Sequence, residues 1–158
     1  YKIAAQEDFP SWGYWIKNGA TTLYENWPLH VEKNDASLNH IMFGEIGAWM
    51  YKGLGGIFPD ENAPGFKHIL LKPNFVSGLD FFESEHISPY GKIVSNWKRE
   101  NKNILYKVIV PPNSNASFYL DKNSTFTCNS KDINVINEGL YKVIQLKSGS
   151  YSFKITEE

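Results

Sequence analysis

The sequence predicts an α+β chain in two parts, helices followed by an antiparallel β-sandwich, and three observations carry that expectation. Apolar residues recur with a helical period up to about Phe58 and with a period of two beyond it. The change falls at FPDENAPGF, where Pro and polar residues cluster. A length of 158 residues suits one domain, or one small domain joined to a piece of another.

Taken in order, the opening YKIAAQEDF carries no Met and reads as the interior of a longer polypeptide, so the lack of a leader there says nothing about compartment. Trp12, Trp15, Tyr24 and Trp27 sit in helix and connecting segments. SLNHIMFGEIGAWMYKGLGG predicts the clearest helix, with Ile41, Met42, Ile46, Ala48, Trp49 and Met50 on and around one face. Asp35 or Ser37 would cap its start and Gly55-Gly56 would end it. Gly44 and Gly47 inside it each cost on the order of 1 kcal/mol of helix propensity relative to Ala, which suggests close packing against another backbone. After the linker, FKHILLKP, LDFFESEHI, KIVSNWKRE, ILYKVIV, ASFYL, YKVIQL and YSFKI read as strands separated by turn residues. Roughly seven strands in about 100 residues point to an antiparallel sandwich, with KRENKN as a hairpin tip. The expected domains are residues 1–58 and 59–158, with the boundary near Pro59 to Pro64.

A formal net charge of −1, from 16 basic and 17 acidic residues, gives no reason to expect a nucleic-acid partner or an anionic membrane surface. No run of about 18 apolar residues suggests a membrane span. The single Cys128 excludes an intrachain disulfide framework and a cysteine-cluster metal site, and reads as a small strand residue. His30, His68 and His86 share no metal-ligand spacing, and GLGG ends a helix rather than opening one, so neither a metal nor a cofactor is expected. A GxSxG elbow is absent, which disfavours a serine nucleophile. Asn115-Ala116-Ser117 and Asn123-Ser124-Thr125 are glycosylation sequons that matter only in a eukaryotic secretory host. Aromatic content of 15% suits either core packing or stacking on sugar faces.

Glu25 is the first candidate for chemistry. It lies between Tyr24 and Trp27 after a small-residue turn, where partial burial would tune a carboxylate as a general base; a solvated loop glutamate is the ordinary alternative. His40, at the expected helix start, could hydrogen-bond a ligand hydroxyl, although a lone histidine there is more often structural. Trp12, Trp15, Tyr24 and Trp27 fit a sugar-stacking wall and helix packing equally well. Trp49 and Trp97 are expected in cores.

DFPSWGYWIKNGATTLYENW, SLNHIMFGEIGAWMYKGLGG, IFPDENAPGFKHILLKPNF and SPYGKIVSNWKRE occur in that order, and together they resemble the C-terminal part of bacterial α-L-rhamnosidases of glycoside hydrolase family seventy-eight. The resemblance covers nearly the whole chain. It implies the terminal helices of an (α/α)6 barrel followed by a C-terminal β-sandwich. It also implies that Glu25, after the Gly-Ala-Thr-Thr turn, is the general base of an inverting mechanism and that His40 contacts rhamnose, with Trp27 and Tyr24 lining the pocket. The chain departs from the family's commoner Trp-Glu-Arg-Trp pattern in having Tyr24 and Asn26 around the glutamate, which bears on pocket contacts rather than on the carboxylate.

Inversion needs a second carboxyl group, about 6.5–9.5 Å from the base, to protonate the leaving oxygen. The family's acidic block that supplies it has no counterpart here, so the chain is expected to be inactive alone and to have the rest of the parent polypeptide as its partner, with rhamnose-containing glycosides as substrates. Such an enzyme fits a periplasmic or extracellular setting, which the residues themselves leave open. Three alternatives stand beside it. One is a non-catalytic carbohydrate-binding sandwich, disfavoured because the informative tryptophans lie in the helical half. Another is a purely structural cap, and the last is a different α/α-barrel glycosidase or lyase.

Overall fold

The computed structural model describes residues 1–30 and 36–156, and the chain divides into two compact units, Tyr1–Trp49 and Met50–Glu158.

In the first unit, α1 (Trp12–Lys17) begins where the Ser11 hydroxyl accepts from the Tyr14 amide at 2.9 Å. That bond satisfies one of the amides a helix start leaves unpaired. The helix stops at Asn18, and Gly19 takes φ +83°, the left-handed conformation that costs glycine no Cβ clash. The chain then turns into Ala20-Thr21-Thr22, pinned by the Ala20 amide donating to the Trp15 carbonyl at 2.9 Å.

The long helix expected from Ser37 onward does not form. Residues 36–44 run as bends and turns, α2 covers only Glu45–Trp49, and a π turn, Met50–Leu54, opens the second unit. His40 therefore precedes the helix instead of sitting in its first turn. The cause is local competition for the backbone. The Ser37 hydroxyl exchanges hydrogen bonds with the Asn39 backbone at 3.0 and 3.1 Å, and His40 Nδ1 accepts from the Met42 amide at 2.9 Å; such bonds offer the chain an alternative to helix. Within this chain Ile41 is 84% exposed and Met42 is exposed too. Asp35, the other expected cap, lies outside the described residues. The close backbone contact expected at Gly44 and Gly47 is also missing: a Cβ on Gly47 would meet nothing within 4 Å, and one on Gly44 would meet the Ile41 carbonyl of its own turn at 3.0 Å. Trp49, expected in a core, is only half-buried.

The second unit is a β-sandwich of ten strands among the described residues: β1 (Ile57–Pro59), β2 (His68–Leu71), β3 (Phe81–Ser88), β4 (Gly91–Glu100), β5 (Asn103–Val110), β6 (Asn115–Asp121), β7 (Thr125–Cys128), β8 (Asn134–Glu138), β9 (Tyr141–Leu146) and β10 (Gly149–Thr156). One sheet has the order β1-β2-β6-β9-β8 and the other β3-β4-β5-β10-β7. The seven expected strands all form. The three others, β1, β7 and β8, are short strands at sheet edges, and β8 is exposed along its whole length. The pairing is antiparallel except between β2 and β6, which run parallel with His68 opposite Asn115.

Inward-facing side chains of both sheets form one core: Ile69, Leu71, Phe118 and Ile144 from the first, Ile93, Trp97, Tyr106, Phe153 and Ile155 from the second. Each such side chain contributes about 1.5–3 kcal/mol through burial. A buried polar chain ties the π turn to this core. The Tyr106 hydroxyl donates to Ser95 Oγ at 2.9 Å, Ser95 Oγ donates to the Gly55 carbonyl at 2.5 Å, and Trp97 Nε1 donates to the Leu54 carbonyl at 3.1 Å. Burial pushes the Tyr106 phenol far above its ordinary range. Gly56 follows with φ +68°, where a Cβ would strike the backbone of Lys72 and Pro73.

Candidate functional site

Glu25 and His40 are brought together by backbone. The segment Thr22–Glu25 lies beside Ser37–His40 through three cross-links: the His40 amide donates to the Leu23 carbonyl at 2.9 Å, the Glu25 amide to the Ser37 carbonyl at 2.9 Å, and Thr22 Oγ1 to the Leu38 carbonyl at 2.5 Å. From Leu23 to Glu25 is a step of two residues, whereas from His40 back to Ser37 is a step of three. The extra residue is absorbed by the Ser37–Asn39 turn, as in a β-bulge that re-aims a side chain.

The half-buried Glu25 carboxylate is fixed by the same partner: its Oε2 accepts from the Ser37 amide at 2.7 Å. A backbone N–H on a carboxylate makes a short, charge-assisted bond. His40 is fixed at Nδ1 by the Met42 amide. Because Nδ1 accepts there, the neutral ring carries its proton on Nε2.

The expected aromatic cluster exists and contains a fifth ring. Trp27 packs against Trp15 at 4.5 Å and Phe43 at 4.2 Å between ring centroids, and edge-on against Trp12 at 5.3 Å. Tyr24 lies against Trp15 at 5.4 Å. Trp15, at 2% exposure, is core, with its indole N–H donated to the Trp27 carbonyl at 2.8 Å. Trp12, Tyr24 and Trp27 keep partly open faces. Two hollows border the cluster. One of about 250 Å³ runs along Trp12, Trp15 and the Ala20–Leu23 turn, and one of about 430 Å³ is walled by Ile3, Trp12, Met42, Phe43, Ile46 and Trp49. Phe43 and the Ser37 amide escaped sequence reasoning: the first reads as one more helix residue, and a backbone N–H leaves no trace in residue type.

In the sandwich, a hollow of about 660 Å³ on the outer face of the second sheet is lined by Phe81, Glu83, Lys98, Lys107 and Lys154 without a carboxylate pair. On the other sheet the His68 ring bonds Asn115 Oδ1 and, at 2.9 Å, Ser117 Oγ. Ser117 is buried and bonded again to Gln145 at 3.2 Å, so its hydroxyl has no open approach for a substrate. No group of three or more potential metal ligands occurs among the described residues, and no described helix is long and apolar enough to cross a membrane.

Residues 1–54 match the family model of the bacterial alpha-L-rhamnosidase 6 hairpin glycosidase domain, and residues 56–132 that of the bacterial alpha-L-rhamnosidase C-terminal domain. An alpha-L-rhamnosidase of Formosa agariphila is 32% identical over 170 residues, covering 98% of this chain and 18% of that protein. One from an Alteromonas species is 33% identical over 161 residues, covering 98% and 17%. Among solved structures, the alpha-L-rhamnosidase of Dictyoglumus thermophilum matches with a TM-score of 0.87 at 30% identity, over 99% of this chain and 18% of that one. The Streptomyces avermitilis enzyme, complexed with L-rhamnose, matches with 0.83 at 26%, over 98% and 16%. The chain thus spans less than a fifth of the length of these relatives.

Proposed function

The chain belongs to the bacterial alpha-L-rhamnosidases, and from that membership we propose that it is the C-terminal portion of an inverting alpha-L-rhamnosidase, which releases terminal α-L-rhamnose from glycosides with Glu25 as general base. On this reading residues 1–54 are the last helices and connections of an (α/α)6-barrel catalytic domain, and the sandwich that follows includes β1 (Ile57–Pro59), so the boundary lies a few residues before the expected Pro59. The observation that carries the proposal is the half-buried Glu25 carboxylate, held on one oxygen by a backbone amide and cross-linked by backbone to the His40 segment.

In the reaction, Glu25 takes a proton from the water that attacks the anomeric carbon on the face opposite the leaving group. A carboxylic acid from the remainder of the enzyme protonates the departing oxygen. The two groups stand about 6.5–9.5 Å apart to admit the water. His40 donates from Nε2 to a rhamnose hydroxyl, a role its backbone-held tautomer suits. Trp27 and Tyr24 wall the pocket, where ring faces meet the C–H groups of the sugar. The base without the acid supplies half of the required pair, so this chain by itself is inactive.

The test is to follow hydrolysis of p-nitrophenyl α-L-rhamnopyranoside by the full-length enzyme with proton NMR. The β anomer of rhamnose forming first supports inversion; the α anomer forming first excludes it. Turnover by the 158-residue chain alone would contradict the division of the two carboxyl groups between this chain and the rest.

A further inference from the structure

We propose that the backbone amide of Ser37 is the positioning group for the general base: by holding Oε2 of Glu25 it leaves Oε1 as the atom that takes the proton from the attacking water. This rests on the assignment of Glu25 as the base.

Three features of the geometry carry it. First, the attachment is reciprocal. The Ser37 amide donates to Glu25 Oε2 at 2.7 Å while the Glu25 amide donates to the Ser37 carbonyl at 2.9 Å, so the main chain and side chain of one residue are held by the main chain of the other. A glutamate has three rotatable side-chain bonds, and anchoring the terminal oxygen to the same backbone that anchors its Cα fixes them together. Second, the bond spends only one oxygen; among the described residues none bonds Oε1. A carboxylate with one oxygen anchored and one open has its remaining lone pairs aimed in a fixed direction, which is the preorganisation that proton transfer from a bound water needs. Third, the Ser37 side chain is occupied elsewhere. Its hydroxyl exchanges hydrogen bonds with the Asn39 backbone, so the hold on Glu25 belongs to the amide and not to the serine side chain. The three-residue step from Ser37 to His40 against the two-residue step from Leu23 to Glu25 breaks any regular ladder between the segments, and the Ser37 N–H goes to the carboxylate instead.

The experiment compares variants of the full-length enzyme on p-nitrophenyl α-L-rhamnopyranoside. Ser37→Ala keeps the amide and removes only the hydroxyl turn, so its loss of kcat should be clearly smaller than that of a variant without the amide hydrogen. Ser37→Pro deletes the N–H and should lower kcat by about 10- to 100-fold with KM unchanged, the scale of one charge-assisted hydrogen bond acting on the base. Should the proline variant fail to fold, replacing Ser37 by its α-hydroxy acid through nonsense suppression converts the amide to an ester, removing the same hydrogen while keeping side chain and shape, with the same loss expected. A general structural role would raise KM or lower thermal stability alongside kcat. Wild-type kcat in the ester variant would overturn the proposal, as would an equal loss in Ser37→Ala, which would assign the effect to the hydroxyl turn. Glu25→Gln in parallel separates the two layers: if it turns over at the wild-type rate the base assignment itself falls, whereas a dead Glu25→Gln beside a fully active ester variant overturns only the role of Ser37.

Discussion

The two units of this chain solve opposite problems. The sandwich closes on itself: both sheets supply apolar residues to one core, its buried hydroxyls and indole N–H are paired, and its polar network includes the turn that leads into it. The first unit uses short helices joined by bends and fixes its carboxylate and imidazole through individual backbone bonds. A regular ladder satisfies every backbone group with another of its kind, whereas an irregular segment has amide groups left to orient side chains.

That contrast is open to attack from both sides. The largest effect should come from Gly56→Ala, which combines a left-handed backbone with a clash against the Lys72–Pro73 backbone. It should cost the sandwich about 2 kcal/mol or more and lower its Tm by roughly 10 °C in a calorimetric scan. An unchanged Tm would mean that the turn into the sandwich is not held as tightly as its hydrogen bonds indicate. On the other side, His40→Phe in the full-length enzyme removes a donor without touching the sandwich. It should lower kcat/KM roughly tenfold at constant Tm, and a fall in Tm instead would assign His40 to structure.

The smallest effect concerns pH. Burial raises the Tyr106 phenol above its unfolded value near 10, so the folded state keeps a proton that the unfolded chain loses. The stability from Tyr106 is complete below about pH 10 and declines as pH rises beyond it. Tyr106→Phe should therefore cost about 1 kcal/mol near neutrality and flatten the alkaline decline, as urea titrations at about pH 8 and about pH 10.5 would register. An alkaline decline as steep as that of the wild type would show that other groups cause it.

How much of this was legible in the residues follows the same division. Seven strands could be read from their apolar and β-branched runs, with clear alternation in β3, β10 and β5, where Ile104, Tyr106, Val108 and Val110 face inward. The strands β1, β7 and β8 could not, being only three to five residues long with little to bury. The helical period from Ser37 to Leu54 misled because apolar spacing reports what a segment could bury, whereas Ser37 and His40 bond the local backbone instead. At the site, Glu25 and His40 were visible as residue types in distinctive blocks. The bulge that joins their segments and the amide that holds the carboxylate are backbone features, and residue identity does not encode them.

Whether the irregular unit supplies the base is decided by turnover of p-nitrophenyl α-L-rhamnopyranoside by full-length Glu25→Gly enzyme, with and without added formate. With Glu25 as the base, kcat falls about a hundredfold or more and formate occupying the vacated position partly restores it, at an unchanged Tm. Activity within a few-fold of wild type without formate would contradict that role.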